Sequence, residues 1–436
     1  MPASPSLLIV PARFKTGKLY TQIATTSAGV VLASSGDFNV TRATTATRFN
    51  SAGLIESVAS GVPRLDYYTS GGTAGCPALL VEPSAANGIL NSENTATNWV
   101  LGANLTSGYT DVIGVSGNNL TVSVSGSGIG SSAGALRRTS NNVSLASGST
   151  YTISFLMRQT GTHTIGGYYA AITGGAAGDL GAGFNVSGSF SSDSLFAYTG
   201  ATSRIRRVER FGADVYRCSE TFTMTASGTL TTLSIGPTVS VTSDTNSASG
   251  TTMAFAAPQI ELGAVPTTFI PTTTGSVTRN ADVVTLSGAV SGCIGQTEGT
   301  IYAEVVNTLV ASYAEAYVYR VFADANNEIW ARKEGGGNTY SFRWRANSQN
   351  TTFLNVAVPN GVNKIAFGYK SGDTALFLNG SQVATTNTDV RAFSVNPTTI
   401  ALGSTSSGQF FNDRIRAVAL YTTRLTNDEL DTLTTL

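Results

Sequence analysis

Short runs that alternate apolar and polar residues, separated by turns rich in Gly, Ser and Asn, recur along most of this 436-residue chain. In residues 150–158, Tyr151, Ile153, Phe155 and Met157 share one face of an extended segment, because side chains along a strand point alternately to opposite sides. A helix would instead repeat its apolar residues every three or four positions. Runs of this length with such turns are typical of β-sandwiches and jelly rolls. The sequence therefore predicts an all-β chain.

Charged residues make up only 12% of the chain, and 26 basic side chains balance 26 acidic ones. Globular domains usually carry about 25% charged residues. A chain of zero net charge produces no long-range field that attracts nucleic acid or an anionic membrane, and no run of about 18 apolar residues is present to cross a bilayer. Zero charge also allows copies to associate without repulsion. We therefore expect protein partners, and neither nucleic-acid binding nor membrane insertion.

The strand pattern divides the chain into three blocks and a linker. We predict an N-terminal region at 1–83, a jelly-roll domain at 84–270, a Thr-rich linker at 271–282 and a second sandwich at 283–436. The last block carries the strongest hairpin signal, Asn379-Gly380. It ends in a predicted helix with Thr426 as N-cap and Glu429 as its capping-box partner. Because this block holds its own set of predicted strands, we expect it to fold alone.

The first block has few predicted core strands for its length. It contains a predicted hairpin within residues 41–58 and a short apolar run, Leu7, Leu8, Ile9 and Val10, which a proline closes. This run favours an extended arm laid along a neighbouring molecule over a strand in a self-contained core. We therefore expect these four residues to anchor the chain on a larger particle, and the block as a whole to oligomerise.

Several segments of the third block resemble the laminin-G-like, concanavalin A-like lectin sandwich, and they occur in that family's order. The segments are 363–370 (NKIAFGYK), 375–383 (ALFLNGSQV), 400–403 (IALG), 411–421 (FNDRIRAVALY) and 425–430 (LTNDEL). The resemblance implies a concanavalin A-like fold for this block. It does not imply one ligand, because the family includes sugar binders, protein binders and spacers.

Other segments resemble structural proteins of bacteriophages of the head-fibre or head-spike type. They are 41–44 (TRAT), 62–67 (VPRLDY), 76–83 (CPALLVEP) and 258–263 (PQIELG). Residues 151–155 and 259–261 also resemble carbohydrate-binding-module jelly rolls. The resemblance implies a capsid-attached subunit, and because such fibres are commonly trimeric it implies a homotrimer. Tail fibres share these segments, so a receptor-binding tail fibre is the alternative.

The residues that enzymes need are sparse. His163 is the only histidine, so a Ser-His-Asp, Cys-His or histidine-based metal site would have to use it, and it lies in a predicted turn. No acidic residues show the Glu-x-Asp-x-x-Glu spacing of hydrolases on this sandwich fold. We therefore predict no catalytic residue, no metal site and no cofactor. A polysaccharide depolymerase remains a third hypothesis, because carboxylates from distant strands can also meet across a cleft.

Two predicted strands that combine aromatic and basic residues, 330–332 and 340–345, offer the best candidate for a ligand site. Alternation places Tyr340, Phe342 and Trp344 on one face of the second of these strands and Arg343 and Arg345 on the other. The aromatic face suits a core. An exposed aromatic ring with arginine donors suits a sugar. The candidate ligand-binding residues are therefore Trp330, Arg332, Arg343 and Arg345. Asp373, Asn379 and Asp389 suggest calcium, but turn chemistry explains them better.

These observations predict a structural, non-enzymatic virion protein that is attached to a capsid and presents lectin-like domains to glycans. The expected partners are two further copies of the chain, other virion proteins and cell-surface polysaccharide. The first eleven residues lack the basic and apolar segments of a secretory signal. We therefore expect synthesis in the host cytoplasm and a final position on the particle surface.

Overall fold

The computed structural model confirms the predicted fold class, since the residues that it describes are nearly all β with one short helix. The structure describes residues 4–23, 37–67, 69–70, 73–93, 99–101, 105–109, 120–124, 136–159, 165–175, 178–185, 200–210, 215–237, 252–288, 292–307, 315–335, 338–390, 392–405 and 408–436. Within these residues no helix is both long and apolar enough to span a membrane.

Among the described residues, eleven short strands fall in the first block and a twelfth follows directly after it. They are β1 (Leu7–Ile9), β2 (Phe14–Lys15), β3 (Lys18–Leu19), β4 (Gln22–Ile23), β5 (Phe38–Thr41), β6 (Ala46–Phe49), β7 (Ile55–Val58), β8 (Leu65–Asp66), β9 (Thr69–Ser70), β10 (Thr73–Ala74), β11 (Ala78–Leu80) and β12 (Ala85–Asn87). The predicted hairpin is present, because β6 pairs with β7 in antiparallel register.

The second block is a sandwich of a five-stranded and a six-stranded sheet, in the orders β13-β16-β22-β18-β19 and β14-β15-β23-β17-β21-β20. Its strands are β13 (Val100–Leu101), β14 (Leu105–Tyr109), β15 (Leu120–Val124), β16 (Leu136–Leu145), β17 (Thr150–Gln159), β18 (Ile165–Thr173), β19 (Gly178–Asn185), β20 (Ala201–Arg210), β21 (Val215–Met224), β22 (Gly228–Pro237) and β23 (Thr252–Leu262). Ile153, Phe155 and Met157 lie in its core, on the face that alternation predicts.

The remaining strands and the helix follow, and all of them except the first strand, which pairs with β12 in a separate two-stranded sheet, belong to a second, larger sandwich. They are β24 (Val277–Arg279), β25 (Val283–Ser287), β26 (Glu298–Asn307), β27 (Ala316–Asp324), β28 (Asn327–Lys333), β29 (Thr339–Ala346), β30 (Gln349–Ala357), β31 (Gly361–Lys370), β32 (Thr374–Leu378), β33 (Ser381–Thr386), β34 (Thr399–Leu402), β35 (Arg414–Tyr421) and α1 (Asn427–Thr434). Asn379 and Gly380 take positive φ angles of 50° and 78° in the predicted β32–β33 hairpin. The predicted capping box of Thr426 and Glu429 begins α1.

Strands of the first block are built into both sheets of this C-terminal sandwich. The first sheet runs β33-β32-β31-β26-β35-β1-β4, with β11 also paired to β35, and the second runs β2-β3-β5-β25-β34-β27-β28-β29-β30. Val81 lies so close to Gly403, which has a φ of 67°, that a Cβ there would meet the Val81 side chain at 2.5 Å. The third block therefore shares its sheets with residues 1–83, which differs from the expectation that it is self-contained.

The apolar run near the N-terminus has its strand partner in the distant block. Leu7 and Ile9 pair with residues of β35 and are 0% and 1% exposed in the same core as Trp344. Leu8 packs on the opposite side of the sheet, whereas Val10 is exposed. The sequence interpretation of an arm for a neighbouring particle is therefore corrected for Leu7 and Ile9, because their own chain buries them.

Five charged side chains form a buried network where the first block meets the predicted linker. We call it the charge cluster, and it consists of Arg42, Arg64, Glu82, Arg279 and Asp282. Arg64 lies 2.5 Å from Glu82 and also pairs with Asp282, which Arg42 contacts at 2.8 Å. Arg279 lies 3.2 Å from Glu82. All five are buried, so the segment predicted as a polar linker is a packed joint, since each buried charge there has an opposite partner.

The charge cluster also connects to the first sandwich. Glu82 accepts hydrogen bonds from the backbone N–H and the hydroxyl of Thr268, at 2.8 and 2.7 Å. Next to it, Phe49 and Ile55 of the β6–β7 hairpin pack in a small core with Leu156 and Phe269. The first block thus lies between the two sandwiches and contacts both.

The charge cluster predicts a specific acid response. Burial alone would raise the pKa of Glu82, but Arg64, Arg279 and the Thr268 hydroxyl outweigh it and lower the pKa from 4.5 to about 2. A lowered carboxyl pKa contributes stability that is complete above the unfolded value of 4.5 and is lost as pH falls through about 2. In urea titrations at pH 6, the free energy of unfolding of Glu82→Gln should be about 3 kcal/mol lower than that of the parent protein. This difference between variant and parent should shrink as the pH falls from 4.5 to 2. A difference that stays constant over this range would contradict the assignment.

Candidate functional site

The outer surface of the second C-terminal sheet carries the candidate residues. Ile329 and Ala331 of β28 point into the core, so Glu328, Trp330 and Arg332 point outward from the same strand. The outer surface of the opposite sheet is partly covered by α1, which packs on β31, β32 and β33. We call the outer side of the second sheet the arginine–tryptophan face, and it consists of Arg320, Glu328, Trp330, Arg332, Arg343 and Arg345.

Strand register fixes the arrangement of this face. Trp330 on β28 lies directly between Arg320 on β27 and Arg343 on β29. In the next row, Glu328 lies opposite Arg345. The four candidate residues from the sequence are therefore brought together by two neighbouring strands, β28 and β29, and their positions follow from backbone pairing.

The indole of Trp330 is covered by its neighbours. The guanidinium carbons of Arg332 and Arg343 lie 4.7 and 5.7 Å from its ring centroid, and Tyr317 packs against it edge-on at 5.7 Å. Its Nε1 donates a 3.2 Å hydrogen bond to Glu328. Trp330 is consequently only 2% exposed, so the expectation of a bare aromatic platform is corrected: the surface available to a ligand is made of guanidinium groups that rest on the ring.

Carboxylates hold two of the arginines. Arg320 lies 2.7 Å from Glu328. Arg332 lies 2.8 Å from Glu315 and 2.9 Å from Glu334. These pairs are only partly exposed, so they orient the guanidinium groups on a rigid sheet, an arrangement suited to positioned hydrogen-bond donation.

Arg343 is held differently. Its nearest carboxylate is Glu328 at 3.8 Å, and its Nε is buried without a hydrogen-bond acceptor among the described residues. Burial lowers the pKa of the Arg343 guanidinium, Glu328 opposes this, and the nearby charge of Arg345 lowers it further. Arg345 itself donates a 2.9 Å bond to the Ala325 carbonyl. The Nε of Arg345 is likewise buried without an acceptor among the described residues, so Arg343 and Arg345 are both members of the face with unused donor capacity.

Sequence reasoning missed Arg320, Glu328 and Tyr317 as parts of this site. Glu328 was detectable, because it is two residues before Trp330 and must share its face of the strand. Arg320 and Tyr317 were not, since their proximity depends on the pairing of β27 with β28.

The other sequence candidates lie elsewhere. Residues 7–9 belong to the opposite sheet of the sandwich, so they do not contribute to the arginine–tryptophan face. His163 lies outside the described residues. Asp389 accepts a hydrogen bond from Ser371, and Asp373 accepts one from Arg424. Within the part of the chain that the structure describes, no group of three or more His, Cys, Asp or Glu side chains converges on a point.

A second polar group is enclosed in the first sandwich. Arg204, on the edge strand β20, pairs with Glu220 and donates a 2.8 Å bond to the Gly181 carbonyl of the facing sheet. Tyr168 donates a 2.6 Å bond to the same Glu220 carboxylate. Tyr168 and Glu220 are buried, so this group connects the two sheets.

Residues 279–431 match a family model described as the concanavalin A-like lectin/glucanases superfamily. The C-terminal sandwich has the concanavalin A-like fold. None of the curated protein sequences matches the chain. The predicted fold of this block is thus confirmed, and strands β1, β5 and β11 of the first block are additions to it that lie outside the matched residues.

Parts of the chain are similar to solved structures. The CBM40 domain of the Ruminococcus gnavus IT-sialidase is 19% identical, with 33% of this chain and 85% of that chain covered and a TM-score of 0.28. Domain 4 of the arabinanase AbnA of Geobacillus stearothermophilus, in complex with arabinotriose, is 15% identical over 39% of this chain and 82% of that one, with a TM-score of 0.30. A leech intramolecular trans-sialidase is 18% identical over 32% of this chain and 23% of its own length, with a TM-score of 0.27.

Proposed function

We propose that the chain is a non-enzymatic structural subunit of a bacteriophage particle that presents a glycan-binding, concanavalin A-like sandwich. The observation that carries the binding role is the arginine–tryptophan face, an array of fixed donors on an outer sheet surface. Rigid strands preserve such an array without the ordering cost of a loop site. The carboxylates nearest to the face, Glu315, Glu328 and Glu334, are engaged by arginines, which favours binding over acid–base chemistry.

The virion role rests on the resemblance of the first two blocks to head-spike and head-fibre proteins. The resembling segments supply Arg42, Arg64 and Glu82 of the charge cluster, and segment 258–263 supplies Gln259 and Glu261, which bond to each other at 2.7 Å. These residues build the joint between the two sandwiches. We infer that the joint sets a rigid angle between a particle-proximal part and the outward C-terminal sandwich.

Labelling on intact particles tests this function. Antibody against the C-terminal sandwich should decorate the capsid surface of particles in electron micrographs. Label confined to the tail tip would instead favour a receptor-binding tail fibre, and unlabelled particles would contradict the virion role. A reducing-sugar assay with purified chain and host polysaccharide should stay at background, whereas steady release of reducing ends would favour a depolymerase.

The proposed subunit is a homotrimer, a number that rests on the resemblance to phage fibres. Because Leu7 and Ile9 are buried in the chain's own core, the contact between copies must use other surfaces, and zero net charge imposes no repulsion between them. Light scattering on the full-length protein should give three times the 45.0 kDa chain mass. A monomer at micromolar concentration, in solution and after release from particles, would contradict it.

A further inference from the structure

The arginine–tryptophan face carries more positive than negative charge. Its four arginines face three carboxylates, those of Glu315, Glu328 and Glu334. The carboxylates concentrate on Arg320 and Arg332, both within 3 Å of an acidic oxygen. The excess positive charge therefore lies at Arg343 and Arg345, which share one face of β29.

Arg343 combines a partly accessible guanidinium with the lack of a close carboxylate partner, which are the properties of an anion-binding residue. Its side chain is 24% exposed, so solvent reaches part of the guanidinium. Its Nε has no acceptor within the described part of the chain, and its one carboxylate neighbour stands at 3.8 Å. The guanidinium carbon of Arg343 lies 5.7 Å from the centroid of the Trp330 ring, which packs beneath it. A ligand acceptor therefore meets the solvent-accessible part of this guanidinium, which the ring holds in place.

We propose that this face binds anionic glycans and that Arg343 donates to their carboxylate or sulfate group. The inference rests on the proposed glycan-binding function and names its ligand class. A planar guanidinium matches a carboxylate or sulfate through two parallel N–H donors, and the neighbouring charge of Arg345 favours an anion at the same place. Neutral hydroxyl groups of the sugar bond to the surrounding polar side chains.

The test uses full-length protein and pairs of glycans that differ only in charge. Calorimetric titration at low salt compares oligogalacturonate with its fully methyl-esterified form, and sulfated with desulfated chondroitin oligosaccharide. In at least one pair, the form with the additional charge should bind about tenfold more tightly than its partner, a difference of about 1.4 kcal/mol. The advantage should fall as salt rises. A preference within the first pair assigns a carboxylate, and one within the second assigns a sulfate ester.

Arg343→Gln should abolish the preference for the charged form, and Arg343→Lys should retain part of it. The matched control is Arg416→Gln, which removes the same charge from the opposite sheet, where Arg416 is 22% exposed and lies 3.2 Å from Glu304. Thermal melts confirm that all three variants are folded. Equal affinity for both members of each pair, or equal losses in Arg343→Gln and Arg416→Gln, would overturn the inference while leaving neutral glycan binding intact. Binding to no glycan of any charge would overturn the proposed function as well.

Discussion

A fragment of residues 283–436 expressed alone should show no cooperative unfolding transition. The fragment lacks β1, β5 and β11, and with them core side chains that the full chain buries: Leu7, Ile9, Phe38, Val40, Leu79 and Val81. Burying one such side chain contributes about 1.5–3 kcal/mol, so six contribute on the order of 10 kcal/mol. That equals the whole stability of a typical domain. The loss also removes β5 from beside β25, and β1 and β11 from beside β35.

A second fragment separates the missing strands from the effect of truncation itself. Asn87 lies opposite Val277 in the antiparallel β12–β24 pair, so a two-residue Asn-Gly turn can join residues 1–87 to 277–436. This chain keeps both sheets and the charge cluster while omitting the first sandwich. We expect it to unfold cooperatively in thermal melts followed by circular dichroism. A cooperative melt of 283–436 alone would show that the N-terminal strands are dispensable.

Asp282→Asn should destabilise the full chain by about 3–5 kcal/mol, because removing one partner of a buried ion pair leaves the others uncompensated. Asp282 contacts Arg42 and Arg64 and also accepts the backbone N–H of Glu82 at 3.0 Å. Without it, three buried arginines face Glu82 as the remaining carboxylate of the charge cluster. The measurement is the free energy of unfolding from urea titration at neutral pH.

The control for this change is Glu298→Gln. Glu298 lies 3.0 Å from Lys370, but its side chain is 32% exposed and that of Lys370 is 51% exposed. Exposed pairs contribute about 0–1 kcal/mol, so this variant should remain within that range of the parent. A loss for Asp282→Asn as small as that of the control would mean that the charge cluster does not stabilise the joint.

Features that depend on neighbouring residues were predictable from sequence. The Asn379-Gly380 hairpin and the Thr426 capping box are set within four residues, so local chemistry determines them. Alternation also assigned Phe342 and Trp344 to the core and Arg343 to the outer face. Each of these follows from strand or helix geometry alone.

Long-range pairing was not predictable. Ser6 donates to the carbonyl of Leu420, which lies 414 positions away, and no local pattern selects that partner for β1. The burial of Arg64 and Glu82 was equally hidden, because charged side chains are almost always exposed unless paired. The covering of Trp330 also depended on tertiary detail, since it required Arg343 on a neighbouring strand to lie over the ring.

We propose that this chain binds glycans through its C-terminal sandwich without converting them. The most direct test of this proposal equilibrates full-length protein with an oligosaccharide pool from host surface polysaccharide and separates the bound from the free fraction by ultrafiltration. Mass spectra of both fractions are then recorded over several hours. We expect the protein to retain a fraction of intact oligosaccharides that is enriched in acidic members. The mass distribution of bound and free oligosaccharides together should not change with time. Shorter products that accumulate with time, or a retained fraction no larger than that of a protein-free control, would contradict it.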